Sequence, residues 1–112
     1  MGKTIVIPRL AAIRNAIDII NQVAASCESF KIGKTHDISE RIAEPDYADF
    51  YTSHEQLFSS PSKELISYVE AIFIDACMAE LPEKCDNKKD GNDSVADQMK
   101  ESDMYYVYIV WR

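Results

Sequence analysis

The segment Phe30–Arg41, FKIGKTHDISER, gathers side chains that can hold a phosphate group. Lys31, Lys34 and Arg41 carry positive charge, and an arginine one turn into a predicted helix can bind phosphate beside the free N–H groups of the helix start. Gly33 lies inside a predicted strand, which costs stability unless a ligand or another backbone comes close. The segment predicts a phosphate-binding site whose members are Lys31, Gly33, Lys34, Thr35 and Arg41. The alternative is a strand bulge surrounded by solvated cations.

Glu70 is the candidate metal ligand, because it lies at the margin of the apolar stripe of a predicted long helix. A carboxylate there can hold a hard cation such as Mg²⁺, which needs only one or two protein oxygens together with water and substrate phosphate. The alternative is an ordinary glutamate at the boundary of a helix. His36 is a candidate general base, since imidazole titrates near neutral pH, although a solvated histidine in a turn has the same pattern.

Composition limits the classes of partner. The chain has 112 residues, enough for one domain, and a net charge of −7 that divides into +2 over residues 1–42 and −9 over residues 43–112. An extended basic surface for nucleic acid is therefore absent, and any phosphate contact must be local. Three cysteines without a Cys-x-x-Cys pair predict a reducing, cytoplasmic setting. No apolar run approaches the roughly 20 residues that cross a bilayer, so no membrane partner is expected.

The elements that must position these residues are predicted from periodicity and caps. A short strand is expected at Thr4–Ile7, a helix from Pro8 to Ser26 with Leu10, Ile13, Ile17, Ile20 and Ala24 on its apolar face, and a strand at Phe30–Thr35. Asp37 and Glu40 form the capping pattern of a helix that begins near Ile38 and stops at Pro45.

The second half of the chain is less clearly patterned. Residues 46–58 favour a helix by spacing, with a short strand as the alternative. Pro61 is expected at the first position of the longest helix, whose predicted buried residues are Leu65, Ile66, Val69, Ile72, Phe73, Ala76 and Cys77. Residues 85–103 are polar and predicted to be mobile. Met104–Trp111, MYYVYIVW, is apolar or aromatic on both alternating sets, which suits a central strand covered on both sides. The fold expected is one α+β domain, residues 1–112, with an antiparallel sheet of about three strands flanked by helices.

KIGKTHDISER resembles the second motif of the GIY-YIG nuclease superfamily, which reads Tyr-Ile/Val-Gly-x-Thr, a short gap and an arginine. Gly33, Thr35 and Arg41 match this motif in type and spacing. Further along, LISYVEAIFIDACMAELPEKCDNKKDG resembles the glutamate helix of that superfamily followed by its asparagine. The resemblance covers roughly residues 29–91, and it implies that Glu70 is the metal ligand and that Asn87 belongs to the site.

The chain departs from that superfamily in two places. Lys31 stands where the second motif has its tyrosine, and the Gly-Ile-Tyr strand of the first motif is missing before it. The only strand of similar character is MYYVYIVW, near the other end of the chain. If this strand takes the place of the missing one, the order of elements is circularly permuted and Tyr106 or Tyr108 lies near Gly33. The alternative is an aromatic strand of the core.

The resemblance implies a specific reaction. A tyrosine-activated water attacks phosphorus, a glutamate-held Mg²⁺ or Mn²⁺ stabilises charge and the arginine grips the phosphate, which assigns the last two roles to Glu70 and Arg41. Tyr106, Tyr108 and His36 are the candidates for activating the water. Three readings stay open: a metal-dependent endonuclease acting on DNA or RNA, a non-catalytic nuclease-like module that binds nucleic acid or a protein partner, and an unrelated α+β domain.

Overall fold

The computed structural model describes residues 8–87 and 99–112. The strand expected at Thr4–Ile7 and most of the polar segment 85–103 lie outside the described residues. The elements follow one another as α1 (Pro8–Ser26), β1 (Phe30–Thr35), α2 (Ile38–Ile42), α3 (Pro45–Ala48), β2 (Ser53–Ser60), α4 (Lys63–Glu80) and β3 (Tyr105–Trp111).

The three strands form one antiparallel sheet in the order β1-β3-β2, so β3 is the central strand. Its burial explains this position: Tyr105 and residues 107 to 110 are all buried, and both faces of the strand are covered. The prediction of an α+β fold with a small antiparallel sheet flanked by helices is therefore confirmed. In the register of the sheet, Gly33 of β1 lies opposite Tyr108 of β3.

The two faces of the sheet pack against different elements. Side chains alternate along a strand, so Phe30 and Ile32 point to one face together with Val107 and Ile109. That face packs on α1 and α4 and forms the main core. The opposite face carries a smaller cluster next to α2 and α3, made of Tyr47, Tyr108 and Val110 with Ile38, Ile42 and Tyr51 packed against it.

The long helices bury a narrower set of residues than their periodicity predicts. In α1 the buried residues include Ala16, Ile20 and Val23, whereas Leu10 and Ile17 are 47% and 44% exposed. In α4 the residues predicted at positions 72 and 76 are exposed, and the buried set is Ile66, Val69, Glu70, Phe73 and Cys77. The core therefore needs one strip of each helix, and apolar residues beside that strip remain at the surface. Neither these helices nor the others described are long and apolar enough to cross a bilayer.

Helix starts are set by local chemistry. Asp37 accepts a hydrogen bond from the Glu40 N–H at 3.1 Å, which confirms the predicted cap of α2. Ser62 caps α4 by accepting from the Leu65 N–H, so Pro61 precedes the cap instead of occupying the first helical position. Pro45 opens α3 after α2 has ended. The helix favoured over residues 46–58 is wrong beyond Ala48, and the alternative of a short strand is confirmed, because residues 53–60 pair with β3.

Asn87 covers part of the outer edge of β1. Its side-chain oxygen accepts from the Ile32 N–H at 2.9 Å, and its amide donates to the Ile32 carbonyl at 2.8 Å. Just before it, the Asp86 N–H donates to the Phe30 carbonyl at 2.7 Å. Residues 84–87 thus run beside β1 and bond to its backbone. The Asn87 amide, which the resemblance placed in the site, is used to hold the sheet edge.

We predict that Asn87→Ala destabilises the fold. The change leaves the N–H and C=O of Ile32, a residue 1% exposed, without their partner. An unsatisfied buried group costs about 1–3 kcal/mol, so the free energy of unfolding should fall on the order of 2 kcal/mol or more in urea titrations. Asn21→Ala, at an exposed position of α1, is the matched control and should change stability little. Equal effects of the two substitutions would contradict the structural role of Asn87.

Candidate functional site

Arg41, Tyr47 and Tyr108 form a hydrogen-bonded group on the α2/α3 face of the sheet, called here the tyrosine–arginine cluster. The Arg41 Nε donates to the Tyr108 hydroxyl at 3.3 Å, and the Tyr108 hydroxyl donates to the Tyr47 hydroxyl at 2.9 Å. The Arg41 guanidinium also lies 4.1 Å from the centre of the Tyr47 ring, a cation–π distance. Three elements, α2, α3 and β3, therefore hold one guanidinium in a fixed orientation.

Tyr47 is a member of this cluster that the sequence did not single out. It lies in α3, which Pro45 begins, and it is only 4% exposed. In the sequence Tyr47 is one of several aromatic residues in the range 46–58. Nothing in that range distinguishes it from Phe50 or Tyr51. The proximity of Tyr47 to Arg41 depends on the turn between α2 and α3, which the sequence did not specify.

Gly33 makes room for Tyr108. A Cβ atom at position 33 would lie 2.5 Å from the Tyr108 Cζ and closer still to its hydroxyl. The glycine φ is not in the left-handed region, so the need for glycine comes from this contact. The expectation that Tyr106 or Tyr108 lies near Gly33 is met by Tyr108. The expectation that Gly33 offers bare backbone to a phosphate is wrong, because the phenol fills that space.

Tyr108 is suited to orient Arg41. Burial raises the pKa of Tyr108, the neighbouring Tyr47 raises it further, and Arg41 lowers it in part, with a net shift above the ordinary value. The phenol is therefore neutral at physiological pH and is 1% exposed. A general base must be able to take up a proton from a water within reach. A neutral, buried hydroxyl can instead donate and accept hydrogen bonds, which is the role that Tyr108 has toward Tyr47 and Arg41.

Lys31 brings a second positive charge next to the tyrosine–arginine cluster. The Lys31 Nζ lies 5.4 Å from the centre of the Tyr47 ring, so Lys31 and Arg41 both contact the same ring. Arg41 also pairs with Glu44, and its side chain is 29% exposed. A ligand phosphate can thus reach the guanidinium from solvent. This local group of cations contrasts with the net charge of −7 over the whole chain.

Glu70 lies on the α4 side of the sheet and pairs with Lys34. The Lys34 Nζ is 3.4 Å from the Glu70 Oε1, and both side chains are nearly buried, at 5% and 7% exposure. Burial raises the pKa of Glu70, while Lys34 and then Lys31 act to lower it. Arg41 makes its contacts on the other face, with the tyrosines and Glu44. The structure therefore does not bring Arg41 and Glu70 into contact, contrary to the expectation, and Lys31 is the cation that acts on both sides.

The remaining predicted site residues have local roles. The Thr35 hydroxyl accepts from the Asp37 N–H at 3.1 Å and donates to the Asp37 carbonyl at 3.2 Å, which builds the turn into α2. The His36 Nε2 lies 3.6 Å from the Glu40 carboxylate. Tyr106 is half-buried and pairs with Thr35 across the sheet. Thr35 is thus used in forming the turn, and its predicted phosphate contact gains no support.

A divalent cation at Glu70 would find few protein ligands. Within residues 8–87 and 99–112, no group of three or more His, Cys, Asp or Glu side chains could hold a metal ion. Glu70 alone supplies one carboxylate, which is the minimum for Mg²⁺ when water and substrate phosphate complete the shell. Glu70 therefore fits such an ion in kind, and the ion would compete with the Lys34 ammonium for the carboxylate.

Comparison with protein-family models, with curated proteins and with solved structures finds no match to this chain. The likeness to the GIY-YIG superfamily accordingly remains a prediction from the residues. Of the residues that match the motif, Gly33 lies against the Tyr108 ring, and Arg41 donates a hydrogen bond to the Tyr108 hydroxyl.

We predict strong coupling between Gly33 and Tyr108. Gly33→Ala should lower the free energy of unfolding by about 1–3 kcal/mol, the usual effect of overpacking, because the added methyl displaces the phenol. In a Tyr108→Leu background the same change should cost much less, since the atoms that collide with the methyl are gone. Urea unfolding of the four proteins gives the coupling energy. An equal cost of Gly33→Ala in both backgrounds would refute the proposed contact.

We predict a pH dependence of stability due to Glu70. Because burial raises its pKa, the folded protein retains the proton at pH values where the unfolded chain has begun to lose it, near the ordinary value of 4.5. As pH rises through this range, ionisation stabilises the unfolded chain, so the free energy of unfolding falls. The difference between wild type and Glu70→Gln, measured by urea unfolding at a series of pH values, should therefore decrease with rising pH. A difference that increases would mean that Lys34 and Lys31 outweigh burial.

Proposed function

We propose that this chain is a GIY-YIG-like domain, with its tyrosine strand moved to the end of the order of elements, that binds a nucleic-acid phosphodiester and hydrolyses it. The observation that supports this most is the meeting of Arg41 with Tyr108 above Gly33. The resemblance identifies Gly33 and Arg41 within one motif but gives no adjacent tyrosine strand. Antiparallel pairing of β1 with β3 puts Tyr108 opposite Gly33, which supports the proposal that β3 takes the place of that strand.

Arg41 would bind the phosphate. Its guanidinium is held by the Tyr108 hydroxyl and the Tyr47 ring, so little orientational freedom is left to lose when a phosphate oxygen accepts its N–H groups. Lys31, on the same ring, adds a second positive charge. Fixed cations of this kind stabilise charge that develops on phosphoryl oxygens during attack.

In the nuclease reading Glu70 would hold the divalent cation, Mg²⁺ or Mn²⁺. It lies on the other face of the sheet from Arg41, so the two residues could serve one phosphate only across the edge of β1. When bound, such a cation acts as a Lewis acid that stabilises negative charge on the reacting phosphate. For Glu70 to be available, the Lys34 ammonium must leave the carboxylate, and a substrate phosphate is an anion that could receive it. In this proposal Glu70 can bind the cation only when Lys34 has moved from its carboxylate to the substrate phosphate.

A second candidate function is a non-catalytic module with the same fold. The buried Lys34–Glu70 pair favours it, because a carboxylate neutralised by a lysine is a poor ligand for a dication. Lys31 in place of the motif tyrosine favours it as well. Such a module would bind nucleic acid through Arg41 and Lys31 without metal, and its acidic segment 43–112 could face a basic protein partner.

The decisive experiment compares cleavage and binding in one set of variants. Labelled single- and double-stranded DNA and RNA are incubated with Mg²⁺ or Mn²⁺ and wild type, Arg41→Ala, Glu70→Gln or the control Arg14→Ala, an exposed arginine of α1. We expect wild type and the control to cleave, and the two site variants to be slower by about 100-fold or more. Thermal unfolding of every variant checks that the fold persists.

The same proteins in EDTA separate the two candidates. Binding by wild type that is weakened by Arg41→Ala, with no cleavage under any condition, would replace the nuclease with the binding module. Cleavage that survives Glu70→Gln would show that Glu70 is not the metal ligand. Absence of both binding and cleavage in wild type would overturn the proposal.

A further inference from the structure

We infer that a cavity beside Tyr47 receives one unpaired nucleobase, so that the domain recognises single-stranded or looped nucleic acid. This inference rests on the proposed function and extends it from the phosphate to the attached base. The cavity has a volume of about 200 Å³, and its lining residues are Ile42, Tyr47, Tyr51, Thr52, Ser53, His54 and Val110. It lies on the face of the sheet that also carries the tyrosine–arginine cluster.

The lining suits a planar heterocycle. Tyr47 and Tyr51 stand edge to face, with ring centres 5.7 Å apart and an angle of 72° between ring planes. Ile42 and Val110 contribute apolar surface, while hydroxyl and imidazole groups from residues 52–54 supply donors and acceptors. Splayed nucleobases are bound by such a combination, through their faces on aromatic rings and through their edges by hydrogen bonds. Pockets for drug-sized ligands have roughly 300–1,000 Å³, so this smaller cavity fits one ring system.

Tyr47 joins the cavity to the phosphate site. Tyr47 lines the cavity, and the same residue contacts Arg41 and Lys31 through its ring and Tyr108 through its hydroxyl. A phosphate on the cations and a base in the cavity would therefore lie on either side of a single side chain. Neighbouring parts of one nucleotide are the groups that can occupy both places at once.

The walls of the cavity are held in place before any ligand binds. The Tyr51 hydroxyl donates to the Asp86 carboxylate at 2.8 Å, and the Tyr47 hydroxyl accepts from Tyr108 at 2.9 Å. Aromatic rings fixed in this way lose little conformational entropy on binding, which favours affinity for a ligand of matching shape.

The charge of the chain supports the same conclusion. With a net charge of −7, the protein cannot gain much affinity from long-range attraction to a polyanion. Binding must then rely on close contacts, and this face offers two kinds: the cations Arg41 and Lys31 for a phosphate and the tyrosine rings for a base. A duplex keeps its bases stacked and paired, so base insertion selects strands whose bases are already unpaired.

The test uses a single-stranded DNA oligonucleotide with one 2-aminopurine, RNA of the same sequence, and a matched DNA strand with an abasic site, all in EDTA. Ser53→Leu fills the cavity and His54→Ala removes an exposed member of its lining. Ser59→Leu, the same substitution elsewhere in β2 and outside the lining, is the control. We expect the abasic strand to bind about tenfold more weakly or worse, and both cavity variants to lose affinity and the 2-aminopurine fluorescence change. The control should bind like wild type.

Three outcomes would count against the inference, and the first two differ in what they leave standing. If the abasic strand binds as tightly as the intact one and Arg41→Ala weakens both, the cavity takes no base but the phosphodiester site stands. If no strand binds to wild type, the proposed function fails and the inference fails with it. Wild-type affinity in Ser53→Leu would also count against base insertion.

Discussion

Antiparallel pairing of β3 with β1 and β2 fixes which residues meet on each side of the sheet. With Gly33 opposite Tyr108, the phenol lies against the glycine and reaches Arg41 and Tyr47. Because strand side chains alternate, a shift of one residue in this register would turn Tyr108 into the main core. It would bring Val107 or Ile109 to the α2/α3 face. The main core and the candidate site are therefore specified by the same pairing.

Charge is distributed unevenly around β1. Lys34 pairs with Glu70 on the α4 side, whereas Lys31 contacts the Tyr47 ring on the other face and also acts on Glu70. Lys34 and Glu70 are nearly buried, and removing two charges from water is costly unless each compensates the other. The pair thus ties the edge strand to α4, and it also controls whether the Glu70 carboxylate is available to another cation.

Sequence reasoning succeeded where the deciding interactions are local. The cap at Asp37, the start of α1 at Pro8 and the doubly apolar pattern of β3 all depend on residues close together in the chain. It left β2 undecided, because the aromatic spacing around residues 46–58 fits a helix and only the pairing with β3 selects the strand. The resemblance offered Tyr106 or Tyr108 as the neighbour of Gly33, and the register of the sheet selects Tyr108. The pairing of Lys34 with Glu70 did not, since it depends on how α4 lies across the sheet.

The position of β3 after all other described elements has a consequence for biosynthesis. β1 and β2 do not pair with each other, so the sheet cannot assemble until residues 105–111 have left the ribosome. Until then both strands have open edges, and the contacts that close the sheet join distant parts of the chain, which slows folding. The nascent chain should therefore depend on chaperones until β3 has been synthesised, and stalling before β3 should leave a species prone to aggregate.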